Sequence, residues 1–520
     1  MFVNKIQADS FPPCLPLTSE TPRGSTSYGW SSRHVGPSRD QPTCEEHERA
    51  AAACSAGAGC RHPEGARKGR TNTRWISACP QGAAKPYKDV INVSWGDPHR
   101  GGLKPLTFVR QVLAACFYPE LLDSSKLPLD AKQRAEWLLE RCEGSSVGCY
   151  TSTAGISDVV HRVSEFIRRR DGGVPSHPKN IFITCGSQWA LTNILKILVD
   201  SEASPRAGVL VPAPGHSTTV WSVTGQGAVV VPYYLCEEEG WALKVEELQR
   251  ALDSAEGVCK PVALYVINPG NPAGLVQSRE SMEEVIRFAS EKKLFLLADE
   301  VYQDYIYGEG SRFISYKKVV AEMGAPLSDS VQLASFHSAS KGMMGECGLR
   351  GGYVELLNLD PAVMEYVYKI FSIGSCGSVS GQLALDIMSS PPQPGDSSYP
   401  LYEQHIRSTL VHNVKTASEV LNRLPGLSCQ PGDGGAFLFP RVDIPPKAIQ
   451  RAQEAGIEPD TFYCVKLLEE AGVLVSPGCD FTQKEGTHHI RLCTLVCSDV
   501  FEELLRRLSN FQTNFMKDFS

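Results

Sequence analysis

From about residue 86 onward, short apolar runs bounded by turn residues alternate with stretches whose apolar positions recur every three to four residues. The first pattern marks strands buried on both faces, the second helices packed by one face. Pro261-Val262-Ala263-Leu264-Tyr265-Val266-Ile267 is such a run, and it ends in the turn cluster Asn268 to Gly274. A helix is predicted next, with Ser281 and Glu284 spaced as a capping box and with Met282, Val285, Ile286 and Ala289 on one face. Leu294 to Ala298 is the following strand. Strand, helix and strand within about forty residues make a β-α-β unit, which predicts a mainly parallel sheet covered by helices, an α/β fold. Further strands are predicted at Asn180 to Thr184, Gly208 to Val211, Val331 to Phe336 and His488 to Ile490, and a helical run at Trp189 to Val199. Beyond about 395 the pattern changes to separate helices and short strands, after a proline-rich boundary at Ser389 to Gly395. Phe501, Leu504, Leu505 and Leu508 form one helix face, with Ser498 as the expected N-cap. No internal repeat occurs.

Residues 1 to 85 carry neither period and are rich in Gly, Pro, Ser, Arg and small residues, so they are expected to be a disordered extension. Their start has Lys5, Asp9, Glu20 and Arg23 but no apolar block, unlike a secretory signal. Arg61, Arg67, Arg70 and Arg74 cluster later, behind acidic Asp40, Glu45, Glu46 and Glu48. A cytoplasmic location is therefore expected, with the mitochondrial matrix as the alternative.

Composition narrows the function. The 520 residues, 42% hydrophobic and 21% charged, suffice for a large subunit of two to three lobes. A net charge of −7 disfavours a phosphate-backbone binder, and no apolar run approaches the roughly 18 residues of a membrane span. Neither nucleic acid nor membrane is expected as a partner. The 18 cysteines show no Cys-x-x-Cys pair and no disulfide spacing, which fits reduced thiols. Cys54, Cys60 and His62 are too loosely spaced for a zinc site, so no metal is expected.

In open α/β sheets ligands bind beyond the carboxyl ends of the strands. Asn271, Asp299, Lys341 and Arg491 each follow such a strand, and Tyr302 lies three residues after Asp299. Taken singly they read as a turn Asn, a loop-capping Asp, a surface Lys and a salt-bridged Arg. Together they suit an aldehyde cofactor with a pyridine ring: a lysine to link to it and an aspartate to keep the ring nitrogen protonated. Asn271 and Tyr302 would hydrogen-bond a phenolate. Ser338, Ser340 and Arg350 would surround a phosphate, helped by the amides of Ser187 and Gln188 at a helix N-terminus.

These stretches resemble the fold-type I, class I pyridoxal-phosphate aminotransferases. The resemblance runs from about Lys85 to the C-terminus and is carried by Val266 to Pro272, Leu297 to Asp304 and Ser335 to Gly342. The run Met344-Gly345-Glu346-Cys347-Gly348-Leu349-Arg350-Gly351-Gly352-Tyr353 is similar to the alanine-specific branch. It implies a large cofactor-binding domain at 146–390 around a mainly parallel seven-stranded sheet. A smaller α+β domain would comprise 391–520 together with a start at 86–145. It implies pyridoxal 5'-phosphate as cofactor and a homodimer acting on small amino acids and 2-oxo acids by a ping-pong route, moving the amino group of L-alanine to 2-oxoglutarate. Lys341 would carry the cofactor and move the substrate proton, Asp299 would pair with the ring nitrogen, and Tyr302 and Asn271 would hold the ring oxygen. Tyr150 would reach the phosphate of the neighbouring subunit, and Arg491 would clamp the substrate carboxylate.

Two positions depart from the family pattern. His216 stands where an aromatic residue, usually Tyr, covers the ring, so the stack is expected to be either a tolerated replacement or weaker and pH-dependent. The segment before Pro86 lacks the ordered arm of the family. Three other readings stay open here: a related enzyme with another amino acid substrate, an impaired paralogue kept for binding or assembly, and a dehydrogenase. The last is disfavoured because no Gly-x-Gly-x-x-Gly follows an early strand.

Overall fold

The computed structural model describes residues 85–400, 407–430 and 432–520. The disorder expected for 1–85, apart from Lys85, and the group Cys54, Cys60 and His62 lie outside the described residues. After a two-residue strand β1 (Ile91–Asn92), seven strands build the central sheet: β2 (Ile181–Thr184), β3 (Ala207–Ala213), β4 (Val229–Tyr234), β5 (Lys260–Ile267), β6 (Phe295–Asp299), β7 (Leu333–Ser338) and β8 (Gly352–Leu357). Their spatial order is β2-β8-β7-β6-β5-β3-β4, and β8 alone runs antiparallel to its neighbours. This is the mainly parallel α/β sheet that the apolar runs imply.

Strand side chains alternate between two packed faces, so the central strands are apolar over most of their length, with Ser335 and His337 of β7 and Glu355 of β8 as buried polar exceptions. Ala263, Tyr265 and Ile267 of β5 join one core with the helix Ser187–Leu198, while Leu264 and Val266 join another with the helices Val245–Ala255 and Arg279–Lys292. A third cluster packs the helices Thr107–Phe117, Leu129–Arg141, Ser157–Arg170 and Val379–Ser389 against Ile181, Ile183 and Tyr353. Met282, Val285, Ile286 and Ala289 are fully buried, the face the sequence predicts.

Several expected boundaries move. The cap of Arg279–Lys292 is Ser278, whose hydroxyl accepts the Ser281 amide at 3.2 Å, so the box formed by Ser281 and Glu284 starts one turn late. Ser498 is the first helical residue rather than the cap; Cys497 occupies that position without a side-chain bond. Val331 is buried as the cap of a four-residue helix, and β7 begins only at Leu333. The strand expected at Gly208 to Val211 runs on through Pro212. That proline lies beyond the last β3–β5 pair, where only the β4 side of the ladder continues.

The C-terminal part carries β9 (Leu427–Ser428), β10 (Phe437–Leu438), β11 (Arg441–Val442), β12 (Val473–Leu474), β13 (Ser476–Pro477) and β14 (Ile490–Cys493). β14 sits between β10 and β13, so Arg491 lies inside a strand rather than after one. β1 pairs with β12, and the Cys493 amide donates to the Val93 carbonyl at 3.0 Å. The loop after β1 is thereby pinned beside Arg491. The terminal helix Ser498–Phe519 buries Phe501, Leu504, Leu505, Leu508, Phe511 and Phe515; each such side chain contributes about 1.5–3 kcal/mol. All 13 cysteines among the described residues are free, and no described helix is long and apolar enough to cross a membrane.

Candidate active site

A cavity of about 770 Å³ opens at the carboxyl ends of the parallel strands. Its lining includes Lys341, Asp299, Tyr302, Asn271, Ser338, Ser340, Arg350, Ser187, Gln188, His216 and Arg491. Eleven of the twelve residues singled out from sequence are thus brought together from positions spread over some 300 residues. Tyr150 is not: it is 77% exposed and does not line the cavity of its own chain.

Asp299 ends β6, in register between Ile267 and Phe336, at the middle of the sheet. Its Oδ2 accepts the Tyr265 hydroxyl at 2.7 Å. Burial pushes its carboxyl up to about 6, against the opposing pull of that hydroxyl, the Val301 amide and Lys341. Such a carboxylate is costly to keep charged in the bare protein and gains most from a cationic partner. Buried Asn271 donates to the Tyr302 hydroxyl at 3.3 Å, and burial raises that phenol well above its ordinary range.

Lys341 follows β7 in a turn held by two bonds, Tyr305 hydroxyl to Gly342 carbonyl at 2.9 Å and Glu346 amide to Ala339 carbonyl at 2.9 Å. Its Nζ donates to the Gly96 carbonyl and lies 5.9 Å from the Tyr302 ring centre. Ser338 ends β7, and Arg350 precedes antiparallel β8, which puts both at the same edge of the sheet. Arg350 has a left-handed backbone (φ 60°) and donates to the carbonyls of Cys347 at 2.6 Å and Cys185 at 3.2 Å. The helix Ser187–Leu198 starts beside it after Gly186 (φ 95°), where a Cβ would lie 2.4 Å from Arg350 Nη2. Glycine is required there by the backbone, since φ 95° with ψ 157° is open to glycine alone, and its bare Cα leaves room for the guanidinium at the helix N-terminus.

Arg491 is buried, donates to the Ser94 carbonyl at 2.7 Å and to Asn271 Oδ1 at 3.3 Å, and lies 4.1 Å and 4.4 Å from the rings of Phe437 and Phe481. Its Nε has no partner. Burial lowers the guanidinium to about 10, although Tyr302, Cys493 and Asp480 pull it the other way. A buried fork with an unmet donor is suited to a carboxylate.

His216 lines the cavity with Nδ1 2.6 Å from the Thr218 hydroxyl. Burial, then Arg491 and Lys341, push it down to about 3, so the ring is neutral at physiological pH. The direction of that shift favours the neutral ring, which is smaller than a tyrosine's. Gln188 turns its side chain to Ser222 (2.7 Å) and Thr218, so its amide rather than its side chain is left for a ligand.

The sequence reading missed Ser94 and Gly96, which act through main-chain carbonyls, and Tyr265, whose only signal is a hydroxyl in an otherwise aliphatic strand. It also missed Phe437, Phe481 and Asp480.

Pyridoxal phosphate matches this donor set. The helix amides, two serines and Arg350 suit its phosphate, Asp299 its ring nitrogen, the Asn271–Tyr302 pair its phenolate and Lys341 its aldehyde. Gly186 is the cradle a side chain would fill.

Comparison with known proteins agrees. The family described as "Aminotransferase class I and II" matches residues 119–508. Alanine aminotransferase 1 of Bos taurus is 48% identical over 443 residues, 85% of this chain and 89% of the relative. Glutamate--glyoxylate aminotransferase 2 of Arabidopsis thaliana is 40% identical over 444 residues, 84% of this chain and 91% of the relative. A solved structure titled alanine aminotransferase from Pyrococcus furiosus shares the fold, with a TM-score of 0.65 at 21% identity over 82% of this chain and 93% of that one. With sequence, fold and cavity in agreement, the chain belongs to the class I and II aminotransferases, enzymes that use pyridoxal phosphate.

Proposed function

We propose that this chain transfers the amino group of L-alanine to 2-oxoglutarate, giving pyruvate and L-glutamate. The observation that carries the reading is the convergence of Lys341, Asp299 and Arg491 on one cavity, in a chain 48% identical to an alanine aminotransferase. When bound, pyridoxal phosphate supplies an electron sink for negative charge developing at the substrate Cα.

The protein's part is to hold and to move protons. Arg491 takes the α-carboxylate that amino acid and oxo acid share, using donors that Ser94 and Asn271 leave free. Lys341 moves the proton at Cα, and the Gly96 carbonyl orients its amine. Asp299 holds the ring nitrogen protonated, with Tyr265 fixing its carboxylate. Asn271 and Tyr302 bind the ring oxygen, His216 covers the ring, and Ser338, Ser340, Arg350 and the amides of Ser187 and Gln188 bind the phosphate. The exposed Tyr150 suits a role across a homodimer interface. The 13 free thiols among the described residues fit a reducing, cytoplasmic setting.

The test is a single-turnover experiment. Loaded enzyme mixed with L-alanine alone is expected to release one pyruvate per site and then stop, resuming when 2-oxoglutarate is added. Lys341→Ala is expected to release none while still folding. Absence of the stoichiometric pyruvate from the wild type would refute alanine as donor, and a different amino acid giving its oxo acid in the same assay would replace it.

A further inference from the structure

Two residues before Arg491, His489 is buried but does not line the cavity. Side chains alternate along a strand, so while Ile490 and Leu492 enter the core, His489 and Arg491 share the other face. The His489 ring lies parallel to Phe439, with centroids 4.7 Å apart, and meets Trp241 edge-on at 5.5 Å. Phe439 in turn meets Phe481 edge-on at 5.9 Å, and Phe481 lies 4.4 Å from the Arg491 guanidinium. Trp241 follows β4, whereas Phe439 and Phe481 belong to the C-terminal part. The small core they form therefore joins the central sheet to the strand that carries the clamp.

The polar contacts of the ring cross the same junction. Asp460 accepts Gln483 Nε2 at 2.7 Å, which turns the amide oxygen of Gln483 toward His489 Nδ1 at 2.8 Å, so Nδ1 donates. Nε2 points the other way and lies 3.3 Å from Glu237 Oε2, placed as an ion pair rather than as an aligned hydrogen bond. A ring with hydrogen on Nδ1 alone would set a lone pair against that carboxylate, whereas a proton on Nε2 makes the contact attractive. Glu237 opens the 3₁₀ turn Glu237–Glu239 just after β4. Arg441 Nη1 reaches the same oxygen at 3.5 Å, but its side chain is 38% exposed against 2% for His489 and 14% for Glu237. The buried pair therefore carries most of the attraction. β4 and β2 are opposite edges of the sheet, and the segment after Tyr150 packs on β2 through the Ile183 amide and the Ala154 carbonyl at 3.0 Å. The bridge is thus made within one chain, away from Tyr150.

We propose that His489 is a positioning residue, which ties the strand of Arg491 to the central sheet through Glu237 and so sets the guanidinium at its place over the cofactor site. The inference rests on Arg491 as the carboxylate clamp and adds what holds the clamp in register. Alanine, pyruvate, glutamate and 2-oxoglutarate all present the α-carboxylate, so every substrate of the proposed reaction depends on the bridge alike.

The test compares two holoenzyme variants. His489→Phe keeps a ring on Phe439 and loses both polar contacts; His489→Gln loses the ring and keeps an N–H that reaches Glu237. In His489→Phe, KM for L-alanine and KM for 2-oxoglutarate are expected to rise together by about tenfold, with kcat changed less than about threefold. His489→Gln is expected to stay within about threefold of wild type. The reverse order of the two variants, or a loss confined to kcat, would overturn the positioning role. Glu237→Ala leaves the buried ring in place and covers a His489→Phe that does not fold: it is expected to raise both KM values about tenfold, and unchanged values would overturn the bridge. Butyrate, a carboxylate that cannot react, gives the same comparison as a Kd whichever amino acid is the donor. Arg491→Lys distinguishes the two readings: if it leaves the Kd of butyrate unchanged, the clamp itself is refuted. If it weakens butyrate while the His489 and Glu237 variants do not, only the positioning role falls.

Discussion

Replacing Arg491 with lysine keeps the charge and removes the fork. The guanidinium already spends one donor on the Ser94 carbonyl and one on Asn271 Oδ1, leaving the unpartnered Nε and the remaining Nη hydrogens for a substrate carboxylate. An ammonium places its three donors on one atom, so after meeting Ser94 and Asn271 it offers a single contact where arginine offers two. The loss is one charge-assisted hydrogen bond, about 1.5–3 kcal/mol, with a smaller contribution from the stacking between Phe437 and Phe481. About 2–3 kcal/mol corresponds to a rise in KM of roughly 30- to 150-fold. Because alanine and 2-oxoglutarate present the same α-carboxylate, steady-state kinetics with each varied in turn is expected to show both KM values rising by similar factors. kcat is expected to fall by less than about tenfold, since the carboxylate contact is made in ground and transition states alike. A rise confined to one substrate, or a loss confined to kcat, would refute the assignment of Arg491 as a shared clamp.

Asp299→Asn is expected to abolish turnover while stabilising the cofactor-free protein at pH 8 but not at pH 4. The folded carboxyl sits near 6 against 3.8 for the free group, so the folded state binds more protons between those values and loses stability as pH rises through them. That difference bounds the gain at about 3 kcal/mol, reduced by water reaching the cavity, and thermal melts of both proteins at the two pH values measure it. Gly96→Ala would place a Cβ 2.6 Å from Phe437 Cζ and 3.0 Å from Lys341 Nζ, displacing the loop that orients the lysine. A fall in kcat of about tenfold or more is expected, since small misplacements of a catalytic group are costly; an unchanged kcat would show that the loop is not needed. Lys317→Met breaks the 2.7 Å pair with Glu355, in which both side chains are at most 2% exposed. Urea denaturation is expected to show about 3–5 kcal/mol lost, and Lys317→Met combined with Glu355→Leu to recover most of it.

What could be read from the sequence, and what could not, follows from how each residue acts. The central strands were legible because a parallel sheet buries both faces, so β5 from Pro261 and β6 up to Asp299 are unbroken apolar runs whose ends carry the polar groups. Asn271, Asp299 and Lys341 announce themselves by that position. Strand and helix edges were less legible, because an apolar residue can be buried for another reason. Val331 packs as the cap of a short helix rather than as a strand residue, and a helix with serines at both 278 and 281 has two plausible starts. Arg491 was found although its strand was misplaced, because the residue type and the resemblance located it without the register.

The residues that escaped share a different trait. Ser94 and Gly96 contribute carbonyl oxygens, which every residue has, so no side-chain pattern could mark them. They reach the cavity only because β1 pairs with β12 nearly 400 residues later in the chain. Phe481 is the converse case: a side chain in a short 3₁₀ segment that no strand or helix period marks. Its place appears only when it is seen to lie 4.4 Å from the Arg491 guanidinium. The elements of the reaction are written at strand ends, where the sheet dictates their place. The far wall of the cavity is supplied by strands and loops brought in from the C-terminal part, where only tertiary contact determines which side chain faces it.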